Sequence, residues 1–131
     1  MGGRRQGFDR ARLEALCARW PGVTRDIKWE TRRVYSVDGK MFAMTAEDPG
    51  EPFQLYVKVP DERFLELTDR PGIVPAPYLA RARWVMVAEP ARLGAAELAA
   101  LVLDSYALVR AKLAKRRQAE LGPLPVPEAV R

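Results

Sequence analysis

Arg32-Arg-Val-Tyr-Ser-Val-Asp-Gly-Lys-Met-Phe-Ala-Met-Thr45 reads as a β-hairpin. Asp38-Gly39 favours a type I′ turn, whose two central residues both need a positive φ, and strand-forming residues flank it on both sides. The spacing predicts strands over Arg32 to Val37 and Lys40 to Thr45. Downstream, Phe53, Leu55, Val57 and Val59 alternate with Gln54, Tyr56 and Lys58, which predicts a strand with one buried and one wet face. Upstream, Thr24 to Trp29 is a further strand candidate. An acidic, turn-rich loop, Glu47-Asp-Pro-Gly-Glu-Pro52, separates the hairpin from the alternating strand.

Helical signals lie on either side of these strands. Asp9 is a good N-cap for a helix from about Arg10 to Arg19, and Phe8 can staple onto Leu13. Leu13, Leu16, Cys17 and Trp20 share its apolar face, and Trp20-Pro21-Gly22 stops it. Pro60-Asp61 opens a short helix capped by Asp61, with Phe64, Leu65 and Leu67 as its apolar surface. Ile73-Val-Pro-Ala-Pro-Tyr78 carries too many prolines for regular structure and reads as an ordered loop. Arg83 to Val87 is a last strand with Trp84 and Met86 on one face. A long helix from about Ala95 to Arg117 follows, with Leu98, Val102, Tyr106, Val109 and Leu113 as its buried stripe. Lys112, Lys115, Arg116 and Arg117 then lie in its last turns, where the helix dipole favours cations. The expected architecture is α+β: an antiparallel sheet of four to five strands with N-terminal, short central and long C-terminal helices on one face. The domain spans residues 8–121, between a flexible tail (1–7) and a Pro-rich tail (122–131).

The 131 residues suffice for one domain with a core of its own. A single cysteine excludes an internal disulfide and, with no signal-like N-terminus, points to the cytoplasm. The longest apolar run, Leu98 to Leu103, is too short to cross a bilayer, so no membrane role is expected. The chain has no histidine, which removes histidine-dependent nucleophilic sites and most transition-metal sites. Cys17, on an apolar helix face, reads as core. Neither a phosphate-binding loop nor a dinucleotide-binding turn is present. Glu62, Glu66 and Asp69 make an acidic ridge that Arg63 and Arg70 blunt. The chain is expected to bind rather than to catalyse, with no cofactor and no metal, as a monomer.

Charge is unevenly distributed. Residues 1–46 carry ten basic against five acidic side chains, residues 47–69 two against seven, and residues 70–131 ten against five. Cations clustered on one surface can replace the counterions of a polyanion, and planar side chains can stack on bases. Arg32, Arg33 and Lys40 flank the hairpin and are expected around its tip. Tyr56 and Lys58 share the wet face of their strand, and Arg81 and Arg83 lead into another. Trp29 and Trp84 are assigned to the core. The acidic loop Glu47 to Pro52 argues against a polyanion, and the acidic 47–69 segment would suit a basic protein partner.

Five blocks resemble one family. Val37-Asp-Gly-Lys-Met-Phe-Ala43, Leu55-Tyr-Val-Lys58, Pro71-Gly-Ile-Val-Pro-Ala-Pro-Tyr78, Trp84-Val85 and Ser105-Tyr-Ala-Leu-Val109 resemble, in order, the pattern of the MmcQ/YjbR family of small bacterial proteins. The resemblance implies a fold of the frataxin/CyaY type and DNA binding through a double-wing arrangement, with Lys40, Lys58 and Tyr78 as motif positions. The frataxin likeness also raises iron binding. The first helix, with Arg10, Arg12 and Arg19 against Asp9 and Glu14, is net basic and departs from that pattern. The expected function is weak, backbone-directed DNA binding through Arg32, Arg33, Lys40, Tyr56, Lys58, Tyr78, Arg81 and Arg83. The alternative is an adaptor for a protein or small molecule, using the proline-rich loop around Tyr78 and the neighbouring sheet face.

Overall fold

In a computed structural model of the chain, which describes residues 7–126, Asp38 and Gly39 have φ of 48° and 80°. Both are left-handed, as the type I′ turn requires. The turn joins β2 (Arg32–Val37) to β3 (Lys40–Ala46), with Val37 opposite Lys40. Around this hairpin β1 (Val23–Lys28), β4 (Leu55–Lys58), β5 (Ile73–Pro75) and β6 (Trp84–Val87) complete one sheet. Its order is β1-β2-β3-β4-β6-β5, and every neighbouring pair is antiparallel. The helices are α1 (Arg10–Cys17), α2 (Asp61–Thr68), α3 (Ala95–Arg110) and α4 (Lys115–Leu121). The outer parts of the two tails, residues 1–6 and 127–131, lie outside the described residues.

The α+β reading holds, with six strands among the described residues rather than four to five. The additional strand is β5. Its one proline, Pro75, sits on an edge, where a missing N–H costs no ladder bond, so the first part of the segment read as a loop pairs with β6 through Ile73↔Val87 and Pro75↔Val85. The long C-terminal helix also differs: it breaks after Arg110 and restarts at Lys115. No Pro or Gly forces the break. The Gln118 side-chain amide donates to Ala111 O and Leu113 O, and Arg110 donates to Gln118 O and Gly122 O. Two carbonyls at the break, those of Ala111 and Leu113, are thus satisfied. Lys115, Arg116 and Arg117 therefore open a new helix instead of closing the old one. At α2, Pro60 is the cap residue and Asp61 is already helical, making no capping bond. Leu65 is exposed, while Leu67 is buried.

All four helices lie on one face. Leu13, Cys17, Leu67, Leu98, Val102 and Leu121 join Tyr35, Val37, Leu55, Val57, Val85 and Val87 in a single core. Trp20, Phe42 and Tyr106 pack ring on ring within it, and the Tyr106 hydroxyl donates to Pro21 O at 2.7 Å. Ser105 fastens α3 to the sheet where the short β3–β4 ladder ends. Its hydroxyl donates to Phe42 O (2.6 Å) and accepts from the Lys58 N–H (3.0 Å).

Strand alternation sends a second set of side chains to the opposite, helix-free face. Val34, Met44 and Tyr56 lie side by side there across β2, β3 and β4, and Met86 and Val74 extend the row across β6 and β5. Among the described residues no helix is long and apolar enough to cross a membrane.

Candidate nucleic-acid interface

Antiparallel pairing collects one end of several strands at the Asp38-Gly39 turn. β4 ends there with Lys58, Lys58 pairs with Trp84 at the start of β6, and Arg83 precedes it. The C-terminal part of α3 crosses the same end, so Leu108 and Lys112 border a cleft with Lys58, Pro60 and Glu62. α4 then folds back onto the hairpin, where Arg117 donates two hydrogen bonds to Asp38 (2.6 and 2.9 Å). One pole of the molecule therefore carries Lys40, Lys58, Arg81, Arg83, Lys112, Lys115 and Arg116.

Electrostatics at this pole bear the marks of crowding. Burial holds the Lys58 ammonium below its ordinary range. The charges of Lys112 and Arg83 push the same way, against Asp61. Lys58 Nζ donates to Ala82 O, which anchors it beside the loop that carries Arg81. Arg83 is engaged twice, with Asp61 at 3.2 Å and over the Phe64 ring at 5.2 Å. Among the described residues Lys40, Arg81, Lys112, Lys115 and Arg116 form no ion pair.

The other predicted cations lie elsewhere. Arg32 and Arg33 begin β2 and so stand a strand's length, ~17 Å, from the turn they were expected to surround. They also point to opposite faces. Arg33 faces the helices, where Glu47 takes its Nε at 2.8 Å and Glu14 lies 3.9 Å from its Nη1. That bond holds the Glu47 carboxyl below its ordinary range. Arg33 is thereby neutralised, and the eight predicted residues do not form one patch.

Arg32, Tyr56 and Tyr78 do come together, in a groove of about 420 Å3 on the helix-free face. The β1–β2 turn supplies Trp29, Thr31 and Arg32. The loop after β5 supplies Pro77, Tyr78 and Leu79, and Met44 and Tyr56 line it from the sheet. The Arg32 guanidinium lies over the Tyr56 ring, 6.0 Å from its centroid. Trp29 is 65% exposed and Tyr78 fully so. Trp29 was assigned to the core, and the structure overturns that. Lys28 and Thr31 close a turn whose central residues, Trp29 and Glu30, have φ of 53° and 62°. This three-residue connection holds two successive residues left-handed without glycine, so no turn signal marked it, and its indole is carried outward. Trp84 is buried as expected, although on the helix-free side. Tyr78, at φ 66°, is likewise held in the left-handed region. Lys112, Lys115 and Arg116 were read as a solvated helix end. Only the α3–α4 break and the docking of α4 bring them to the pole. Among the described residues no three Cys, Asp or Glu side chains are arranged to hold a metal ion.

Comparison with known proteins agrees with this architecture. The Deinococcus radiodurans protein DR2400, of domain family DUF419, superposes with a TM-score of 0.83 at 26% identity, over 94% of this chain and 95% of that one. A Pseudomonas syringae protein shares the fold with a TM-score of 0.64 at 24% identity, over 77% of this chain and 98% of its own. The uncharacterized protein YbdF of Escherichia coli O157:H7 is 31% identical over 90 residues, covering 69% of this chain and 74% of that protein. The YjbR family model matches residues 18–108, from the end of α1 to within α3, and so takes in the whole sheet. The chain belongs to the YjbR family.

Proposed function

We propose that this protein binds nucleic acid, without catalysis, through the basic pole at the Asp38-Gly39 end of the sheet. The observation that carries the reading is the gathering of Lys40, Lys58, Arg81, Lys112, Lys115 and Arg116 from four separate parts of the chain. Those that lack a carboxylate partner keep their full charge for phosphates. Among the described residues the helix that the pole presents outward is α4, whose seven residues are too few to read a major groove, while α3 is packed on the sheet. Contacts are then made to the backbone, with little sequence selectivity. Affinity falls in the range of non-specific binding, Kd of roughly 10⁻⁴–10⁻⁶ M at physiological salt.

Anisotropy titrations of labelled duplex and single-stranded DNA at two salt concentrations test this. Binding that weakens as salt rises, and weakens further in a Lys112→Gln/Lys115→Gln/Arg116→Gln variant, supports the reading. Affinity absent at low salt, indifferent to salt, or unchanged in that variant rejects it. A second reading has its own observation: Arg33, Arg70, Arg83 and Arg117 are each spent on a carboxylate. The remaining charge then serves solubility, and the groove serves a protein or small molecule. Capture of a partner from nuclease-treated lysate, with no DNA affinity, would favour it.

A further inference from the structure

The groove on the helix-free face has features that phosphate binding does not need. An exposed indole and an exposed phenol border it, both held at left-handed backbone positions. Such conformations are strained for residues with a side chain and persist where the surroundings impose them. Tyr56 and Met44 give it an apolar lining from the sheet. Charge is present at one rim only. Arg32 lies 3.9 Å from Glu51, the outer limit of an ion pair, so its guanidinium keeps donors free. Lys28 stands opposite Arg32 across the β1–β2 ladder. A flat, polarisable ring next to an anion matches this combination. Bases stack on aromatic side chains whatever their sequence.

The geometry points to a nucleotide site in this groove: a base stacked against Trp29 and Tyr78 over Tyr56, with its phosphate towards Arg32. The nucleotide is either free or an unpaired residue of a single strand. The strand-bound form rests on the nucleic-acid reading above, and one loop connects the two regions. Tyr78 borders the groove, Arg81 lies three residues on, and the carbonyl of Ala82 holds the Lys58 ammonium of the basic pole. A single strand laid along residues 78–83 would meet aromatic rings at one end and cations at the other. A duplex, whose bases are stacked inward, would meet only the cations.

Trp29 is itself the probe, because Trp20 and Trp84 are buried. Its indole N–H signal and fluorescence are followed on adding thymidine monophosphate, single-stranded oligothymidine or duplex DNA. The wild type, Trp29→Ala, Tyr78→Ala and the pole variant are compared by anisotropy, and circular dichroism checks the fold. We expect both single strand and free nucleotide to shift the Trp29 signal. Trp29→Ala and Tyr78→Ala should each lower single-strand affinity about tenfold and leave duplex affinity within about twofold. Single-strand affinity unchanged in both variants, with the pole variant still impaired, overturns the groove site and leaves the basic pole standing. A Trp29 shift with free nucleotide, but no binding of any DNA, supports the groove and overturns the pole. A shift produced by a proline-rich peptide and not by nucleotide overturns the nucleotide assignment.

Discussion

Tyr35, under α1, and Cys17, the last residue of α1, carry the fold's sensitivity to alkali. The Tyr35 hydroxyl donates to Glu14 Oε1 at 2.6 Å. Burial first, and then this bond to a carboxylate, hold the phenol above its ordinary value of 10.0. Burial, with Glu14 adding, does the same to the Cys17 thiol, whose ordinary value is 9.0. Both groups stay protonated in the folded chain. Once unfolded they lose their protons as pH passes those ordinary values, so above about pH 9 the unfolded state binds fewer protons than the native one. Their contribution to stability is therefore level at neutral pH and declines progressively above about pH 9. Urea midpoints measured from pH 7 to about pH 11 should trace that decline, and a midpoint that stays flat would contradict it. Cys17 should react with a disulfide reagent only as fast as the protein opens. The core role of Cys17 was legible because Leu13, Leu16 and Trp20 share its helix face. The role of Glu14 was not, because its partners Tyr35, Arg25 and Arg33 come from strands that sequence spacing could not register against α1.

The elements differ in how far their local chemistry decides their shape. The β2–β3 turn has the dipeptide its geometry favours, and both strands could be read directly from it. The β1–β2 turn also holds two successive residues left-handed, but they are Trp29 and Glu30 rather than Asp and Gly, against local preference. A left-handed backbone costs a non-glycine residue roughly 1–2 kcal/mol. Glu30→Gly should therefore stabilise the fold by about 1 kcal/mol, partly offset by the greater freedom of glycine in the unfolded chain. It should leave the Trp29 fluorescence response intact. Loss of stability on this change, measured by urea denaturation, would mean that Glu30 makes contacts worth more than its strain. The break between α3 and α4 escaped sequence reading for a related reason. Ala111 to Lys115 is a run of good helix formers, and the chain leaves the helix there only because of tertiary contacts. Leu121 packs over Gly22 in the core that Val37 shares, and Arg117 reaches Asp38, which outweighs propensity.

At the scale of the whole molecule, composition announced a charge imbalance but not its axis. The acidic loop 47–52 lies at one end of the sheet, tied down by Arg10, which donates to the Ala46 and Glu51 carbonyls. The basic pole lies at the other. Strand reversal makes this polarity, because every second strand end returns to the same pole and residues far apart in sequence accumulate there. A duplex that spreads its phosphates over the whole surface would meet repulsion at the loop, so the duplex footprint must be confined to the pole. That confinement can be measured. Each phosphate neutralised adds about −0.9 to the slope of log K against log salt on duplex DNA. With Lys40, Lys58, Arg81, Lys112, Lys115 and Arg116 as the available cations, the slope should be no steeper than about −5. Replacing Lys112 or Lys115 with Gln should reduce its magnitude by about 1 each. Arg92→Gln removes the same formal charge near the N-terminus of α3, the end remote from the pole, and should leave the slope unchanged. Equal slope changes at all three positions would show that duplex DNA responds to net charge alone, and the pole would then lose its standing as a site.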